Sequence, residues 1–330
     1  MRIRSSRRAL LRQLATLAVF PLSAWAQPRK QNYRIGYLRR TSPEPADAES
    51  FRRGLRELGY GENVVIEERY AHGIADRLQP LAAELVRMNV DVIVVDGTAT
   101  AVAVKAVTNS VPTVFVVVTD PIGHGLVKSL ARPGTNFTGL TVTTGYELAG
   151  KRLELFKAAF PAASRLAILG NPSNPSTGAF LRDTERAARA LRLEVKSFEA
   201  ARSNELSQVF GAITEWRADG LKTINDAMFY SQRERIVDLA LKHRLPAIYP
   251  ETEFVEAGGL MSYGPDFDYL FRRAAVYVDK ILKASNPAEL PVEQPAKFQF
   301  VINSRAATAL GLTIAPAVLL RADRVIQYKE

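Results

Sequence analysis

Cysteine is absent from all 330 residues. That absence excludes disulfides, thiol nucleophiles, cysteine-bound zinc and a lipid-bearing N-terminal cysteine. Histidine is scarce: His72, His124 and His243 stand too far apart in sequence for metal-ligand spacing. No Gly-x-Ser-x-Gly elbow occurs, so a hydrolase nucleophile is not indicated. A Walker loop is also missing, and Gly123, Gly125, Gly134 and Gly139 do not follow the dinucleotide-binding fingerprint. No apolar run reaches the roughly 20 residues that a membrane-spanning helix needs. Together these gaps point away from catalysis, cofactors and metals, and toward binding.

The first residues read as an address. Arg2, Arg4, Arg7, Arg8 and Arg12 precede a short apolar run over residues 14–22, which ends in Ala24-Trp25-Ala26. A basic start, an apolar centre and small residues two apart form a secretory signal, with cleavage expected after Ala26. Ser6-Arg7-Arg8-Ala9-Leu10-Leu11-Arg12 also fits the twin-arginine export pattern, beside an ordinary Sec signal. Five arginines and no acidic residue leave with residues 1–26, so the net charge falls from +10 to +5. What remains contains no basic block, and nucleic acid is a poor partner for it. An exported chain without a lipid-attachment cysteine or a later apolar span is expected in the periplasm as a soluble monomer.

From residue 33 onward strand and helix signals alternate with few gaps. Strands are expected at residues 33–38, 63–70, 91–95 and 113–118, with helices between them. Asp91-Val92-Ile93-Val94-Val95 is a β-branched run suited to a strand covered on both faces. The order restarts after Gly139, with strands at 165–169, 194–198, 221–225 and 247–249 and helices before each. A further strand at 259–263 and an amphipathic helix through Leu270, Ala274, Tyr277, Val278 and Ile281 follow. Beyond a proline-rich stretch at 286–295 come a strand at 297–302 and helices at 305–310 and 315–326. The pattern is α/β: two doubly wound parallel-sheet lobes, with late elements that cross back between them as a multi-strand hinge. The expected division is 33–140 plus 260–292 for one lobe, 141–259 plus 293–320 for the other, and a tail at 321–330.

Several stretches together resemble the ABC-transporter substrate-binding proteins related to the tryptophan/tyrosine-binding receptors. The most distinctive begins Thr119-Asp120-Pro121-Ile122-Gly123-His124-Gly125-Leu126 and ends Ala131-Arg132-Pro133-Gly134-Thr135-Asn136-Phe137-Thr138-Gly139-Leu140. Phe51-Arg52-Arg53-Gly54-Leu55-Arg56-Glu57-Leu58-Gly59-Tyr60, Gly258-Gly259-Leu260-Met261-Ser262-Tyr263-Gly264-Pro265 and Leu310-Gly311-Leu312-Thr313-Ile314 add to it. The resemblance implies a type I periplasmic-binding-protein fold. It also implies a small-molecule ligand, and an inner-membrane ABC permease with its ATPase as partners. Two departures stand out. Leu221-Lys222-Thr223-Ile224-Asn225 is more polar than the family's usual strand there, and His124 replaces a small residue.

Parallel α/β sheets bind ligands beyond the carboxyl ends of their strands. The candidate loops are therefore 39–42, 97–100, 119–121, 171–176, 225–226, 249–251 and 263–266. Thr98, Thr100 and Thr119 lie where free helix-start amides favour a carboxylate, although a threonine there also serves as a plain N-cap. Asn174 and Ser176 offer the same choice from the second lobe. Asp120 and Asp226 can take a ligand ammonium through charge-assisted hydrogen bonds, or serve their own turns. Tyr37, Phe229, Tyr249 and Tyr263 can stack on a flat ligand or fill the core. An aromatic or branched amino acid, or a related carboxylate, is the expected ligand. A periplasmic sensory receptor shares all these features, and an exported enzyme on this scaffold is the third reading.

Overall fold

The computed structural model describes residues 32–41, 45–142 and 146–327; the expected signal segment lies outside them. The chain opens with β1 (Tyr33–Arg39), α1 (Pro45–Glu57), β2 (Val64–Tyr70), α2 (Leu78–Arg87) and β3 (Val92–Asp96). It continues through α3 (Thr98–Val107), β4 (Thr113–Val118) and β5 (Phe137–Thr141). These five strands form one parallel sheet in the order β2-β1-β3-β4-β5. Every residue of β3 and β4 is buried, as a β-branched strand covered by helices on both faces requires. The edge strand β2 instead carries Glu67, Glu68 and Arg69 and is only partly buried, which discourages pairing with another chain.

The second layer begins with α4 (Tyr146–Ala159), β6 (Arg165–Gly170), α5 (Thr177–Ala190), β7 (Glu194–Glu199), α6 (Leu206–Glu215) and β8 (Gly220–Thr223). Then come α7 (Ala227–Ser231), α8 (Arg233–Lys242), β9 (Ala247–Tyr249), α9 (Thr252–Glu256), β10 (Met261–Pro265) and α10 (Phe267–Leu282). β11 (Phe298–Asn303), α11 (Ser304–Ala309), α12 (Pro316–Leu319) and β12 (Arg324–Ile326) close the chain. The second sheet runs β12-β11-β10-β9-β8-β6-β7, parallel throughout except for the antiparallel β10–β11 pair.

The chain passes between the layers three times: between β5 and α4, between β10 and α10, and between Glu293 and β11. Glu293 pairs beside Leu140 and so binds the last connection to the edge of the first sheet. Two expected boundaries therefore move. β10 pairs with β9 and β11 in the second sheet, so the return to the first layer starts with α10 rather than at residue 260. The expected long helix at 315–326, and the described part of the tail expected at 321–330, give way to the short α12 and the strand β12. Arg324-Val325-Ile326 pairs in parallel with Val301-Ile302-Asn303, and the Phe300 amide donates to Asp323. A β-branched pair beside an open strand edge favours extension over helix.

The amphipathic face of α10 explains why the chain returns. Leu270, Phe271, Ala274, Tyr277 and Val278 pack with Tyr37, Phe51 and Val94 in one core of the first sheet. Gly54 of α1 permits the crossing, because a Cβ there would stand 2.8 Å from the Arg272 carbonyl oxygen. The second sheet likewise has a core on each face, one built around Phe210, Phe229 and Phe254 and the other around Phe156, Ile248 and Phe300.

The polar strand foreseen at Leu221-Lys222-Thr223 takes a central position as β8, between β6 and β9. Lys222 is 1% exposed there. Burial, with Arg152 of α4 adding repulsion and Asp183 of α5 opposing it, pulls the amine down to about 7. An unfolded lysine titrates near 10.4, so between roughly pH 7 and pH 10.4 the unfolded chain binds the extra proton. Stability should therefore rise with pH across this window, by at most about 5 kcal/mol from this residue alone. Denaturant titrations from pH 6 to 10 should show that rise, and Lys222→Met should flatten it while stabilising the protein most at the acid end. A wild-type curve as flat as the variant's would refute the assignment.

Candidate functional site

A cavity of about 440 Å³ opens where the carboxyl ends of the strands of both sheets meet. From the first sheet it takes Arg40 after β1, the 71–75 loop after β2, Gly97-Thr98-Ala99 after β3, and Val117 and Thr119 at the end of β4. From the second it takes Asn171, Ser173, Asn174 and Ser176 after β6, Ala201-Arg202-Ser203 after β7, and Asn225-Asp226 after β8. Phe180 of α5 supplies an aromatic wall.

The two halves touch directly across this space. The Ser176 hydroxyl donates to the Thr98 hydroxyl oxygen at 3.1 Å. Arg40 reaches from the first layer to Glu251 at 3.3 Å and to Asn225 at 3.5 Å. Its own backbone N–H is fixed on Asp96 at 2.7 Å. Burial alone would lower the guanidinium pKa, but Glu251, Asp96 and Asp226 outweigh it and raise the value, so Arg40 stays charged. Glu251 is itself buried and also faces Arg152, whose pKa burial lowers to about 10 against the pull of Glu251. A single carboxylate thus lies between one arginine of each layer.

Of the eleven residues expected at the site, Thr98, Thr119, Asn174, Ser176 and Asp226 line the cavity. Thr98 is not the cap of α3: Gly97 holds that position at φ 87°, and the Thr98 hydroxyl accepts from the Thr119 amide instead. Asp226 caps α7 by accepting from the amides of Met228 and Phe229. It also accepts from the side-chain amides of Asn171 and Asn174.

The other six lie elsewhere. Thr100 is fully buried and donates to the backbone oxygen of Gly97, bonding back into its own helix. Asp120 is exposed at φ 46° and accepts from the Gly123 amide, a turn role. The four aromatics are packed away from the cavity. Tyr37 meets Phe51 edge-on, Phe229 is in the core, Tyr249 stacks on Phe254 at 4.7 Å, and Tyr263 stacks on Phe298 at 5.7 Å. Rings at strand ends lie deep enough to be covered by the neighbouring helices, which sequence alone does not reveal. The missed residues sit in loops. Arg40 and Asn171 lie inside the expected loops 39–42 and 171–176 but carry no motif of their own, and His72-Gly73-Ile74 follows the strand expected at 63–70, whose loop is not among the candidates.

Val117 adds a constraint at the cavity floor. It is a β-branched residue at φ 61°, where the β4–β5 register slips by one residue. Such a conformation costs roughly 1–2 kcal/mol, and strain of this kind concentrates at ligand sites. Just before the slip, Gly139 at φ 142° pairs with Phe115 and lets the strands close, since a Cβ would collide with the Phe115 carbonyl. Among the described residues no cluster of three or more His, Asp or Glu side chains could hold a metal.

Two α/β layers joined by three crossings, with a cavity at facing strand ends, define a two-lobed solute-binding protein with the type I periplasmic-binding fold. Residues 46–326 match the family described as ABC transporter substrate binding protein, and the chain belongs to that family. A tyrosine-binding protein of Clostridioides difficile (strain R20291) is 27% identical over 264 residues, 79% of this chain and 75% of the relative. The structure of an ABC domain in complex with L-Trp from Streptococcus pneumoniae aligns with a TM-score of 0.84 at 28% identity, covering 89% of this chain and 100% of that one. A conserved domain protein from Vibrio cholerae O1 biovar El Tor aligns with a TM-score of 0.83 at 29% identity, covering 89% and 99%.

The contrast between the two aspartates is open to test. Asp226→Ala should cost about 1–3 kcal/mol in denaturant unfolding, since it removes a helix cap and strands two buried amides. Asp120→Asn, which keeps the turn acceptor and tolerates the left-handed backbone, should stay within about 0.5 kcal/mol. Equal losses would contradict the roles described.

Proposed function

We propose that this protein is the capture component of an ABC importer. It is exported to the periplasm, closes its lobes over an amino acid or related small carboxylate, and presents the closed form to an inner-membrane permease. The observation that carries this reading is the cavity itself, supplied by strand ends of both layers and bridged by Thr98–Ser176 and Arg40–Glu251. Its volume of about 440 Å³ suits one small molecule. Phe180 gives a flat apolar surface, and the uncapped start of α3 gives free amides for a carboxylate. The tyrosine- and tryptophan-binding relatives support the amino-acid class. Lobe closure then follows from a ligand that contacts both halves and favours the closed form.

Isothermal calorimetry against the twenty amino acids and a set of aromatic and aliphatic carboxylates should identify a ligand. Small-angle scattering at saturation should show a smaller radius of gyration than the ligand-free protein. Binding without compaction would refute closure, and a panel without a single binder would refute the capture reading.

A further inference from the structure

The two buried charges that face the cavity differ in what they have left to offer. Asp226 already accepts five hydrogen bonds, from Asn171 (to both oxygens), Asn174, Met228 and Phe229, at 2.9–3.1 Å. A carboxylate has about four acceptor positions, so Asp226 is committed to its own loop. Asp76, the other acid in the lining, is exposed on a short turn at the rim. Neither is a buried, uncommitted partner for a ligand ammonium.

Donors are in the opposite state. The Arg40 guanidinium lies 5.8 Å from the Tyr230 ring centroid, and its side-chain hydrogen bonds to described residues are long, 3.3 Å to Glu251 and 3.5 Å to Asn225. Close charge-assisted bonds measure about 2.7–2.9 Å, so these leave its N–H groups with unused capacity. The Arg40 side chain also lies against Gly97, where a Cβ would stand 2.9 Å from its Cδ. The guanidinium is thereby held beside the first turn of α3, whose Thr98 and Ala99 line the cavity with no side chain capping them. Glu251, the counter-charge of Arg40, is not part of the lining.

We propose that Arg40 is the specificity-determining residue of the cleft, recognising the ligand's carboxylate, while among the described residues no uncommitted acidic side chain balances an amino group. The cleft therefore selects small carboxylates, amino acids being one subset. This rests on the capture reading above and narrows it.

The test uses trios that share one side chain. These are L-tryptophan, indole-3-propionate and tryptamine, with L-tyrosine, 3-(4-hydroxyphenyl)propionate and tyramine as the second set, and a matching trio for any other amino acid that binds. By calorimetry the desamino acid should bind within about tenfold of the amino acid, and the amine about 100-fold more weakly or not at all. Arg40→Gln should weaken the acids by about 100-fold, with Arg40→Lys recovering part of the loss. A cooperative thermal unfolding transition well above the assay temperature shows that both variants remain folded, even where loss of the Glu251 partner lowers the midpoint. If amino acids bind and their desamino counterparts do not, the capture reading stands and this inference falls. Unchanged affinity in Arg40→Gln also overturns it. If no acid or amino acid binds, both are lost.

Discussion

Parallel pairing is the constraint from which the rest follows. Strands that all run one way release their chains at the same edge, and each helix that follows begins there with amides that no turn of the helix can satisfy. One sheet with such an edge makes a shelf. Two sheets with their edges turned toward each other make a chamber, and the loops that line it need no common sequence because the backbone already supplies donors. The loops after β1 through β4 and after β6 through β8 all reach the cavity for this reason.

The buried charges occupy the same edge. Arg39 and Asp96, the last residues of β1 and β3, face each other at 3.8 Å, both almost fully buried. Arg40, Glu251 and Arg152 continue the series across the cleft, and Lys222 stands behind Arg152 within the second layer. Such groups are costly to desolvate and rarely add net stability. Their arrangement gives direction instead: Glu251 has a partner within its own layer and a second that arrives only when the layers meet. The ion pair across the cleft is thus tied to one relative position of the halves.

Most of the architecture was legible because buried parallel strands and amphipathic helices carry strong periodicity. The runs at Val92–Asp96 and Thr113–Val118, and the stripe from Leu270 to Ile281, pointed to their elements without help from a structure. Short elements were legible only in part: the three-residue β9 matches the strand expected at 247–249, whereas α7, α9 and β12, three to five residues long, show too few positions for a period, and β5 lies after a glycine-rich loop that masks it. The site was readable at the level of loops and less so at the level of side chains. Small polar residues at strand ends fell in the cavity, whereas the aromatics did not, since a large ring at the same position gains more by entering the adjacent core. Arg40 had no distinguishing mark among so many arginines; only its placement against Gly97 and Glu251 sets it apart.

The second crossing has a consequence for biosynthesis. α10 covers one face of the first sheet, yet it is encoded after ten of the twelve strands and most of the second layer. A growing chain therefore displays Tyr37, Phe51 and Val94 to water until residue 282 emerges, and the edge beside β5 stays open until Glu293 arrives. The amino-terminal half is not a self-sufficient folding unit, although it is synthesised first, and the order of translation differs from the order in which the two layers can be completed.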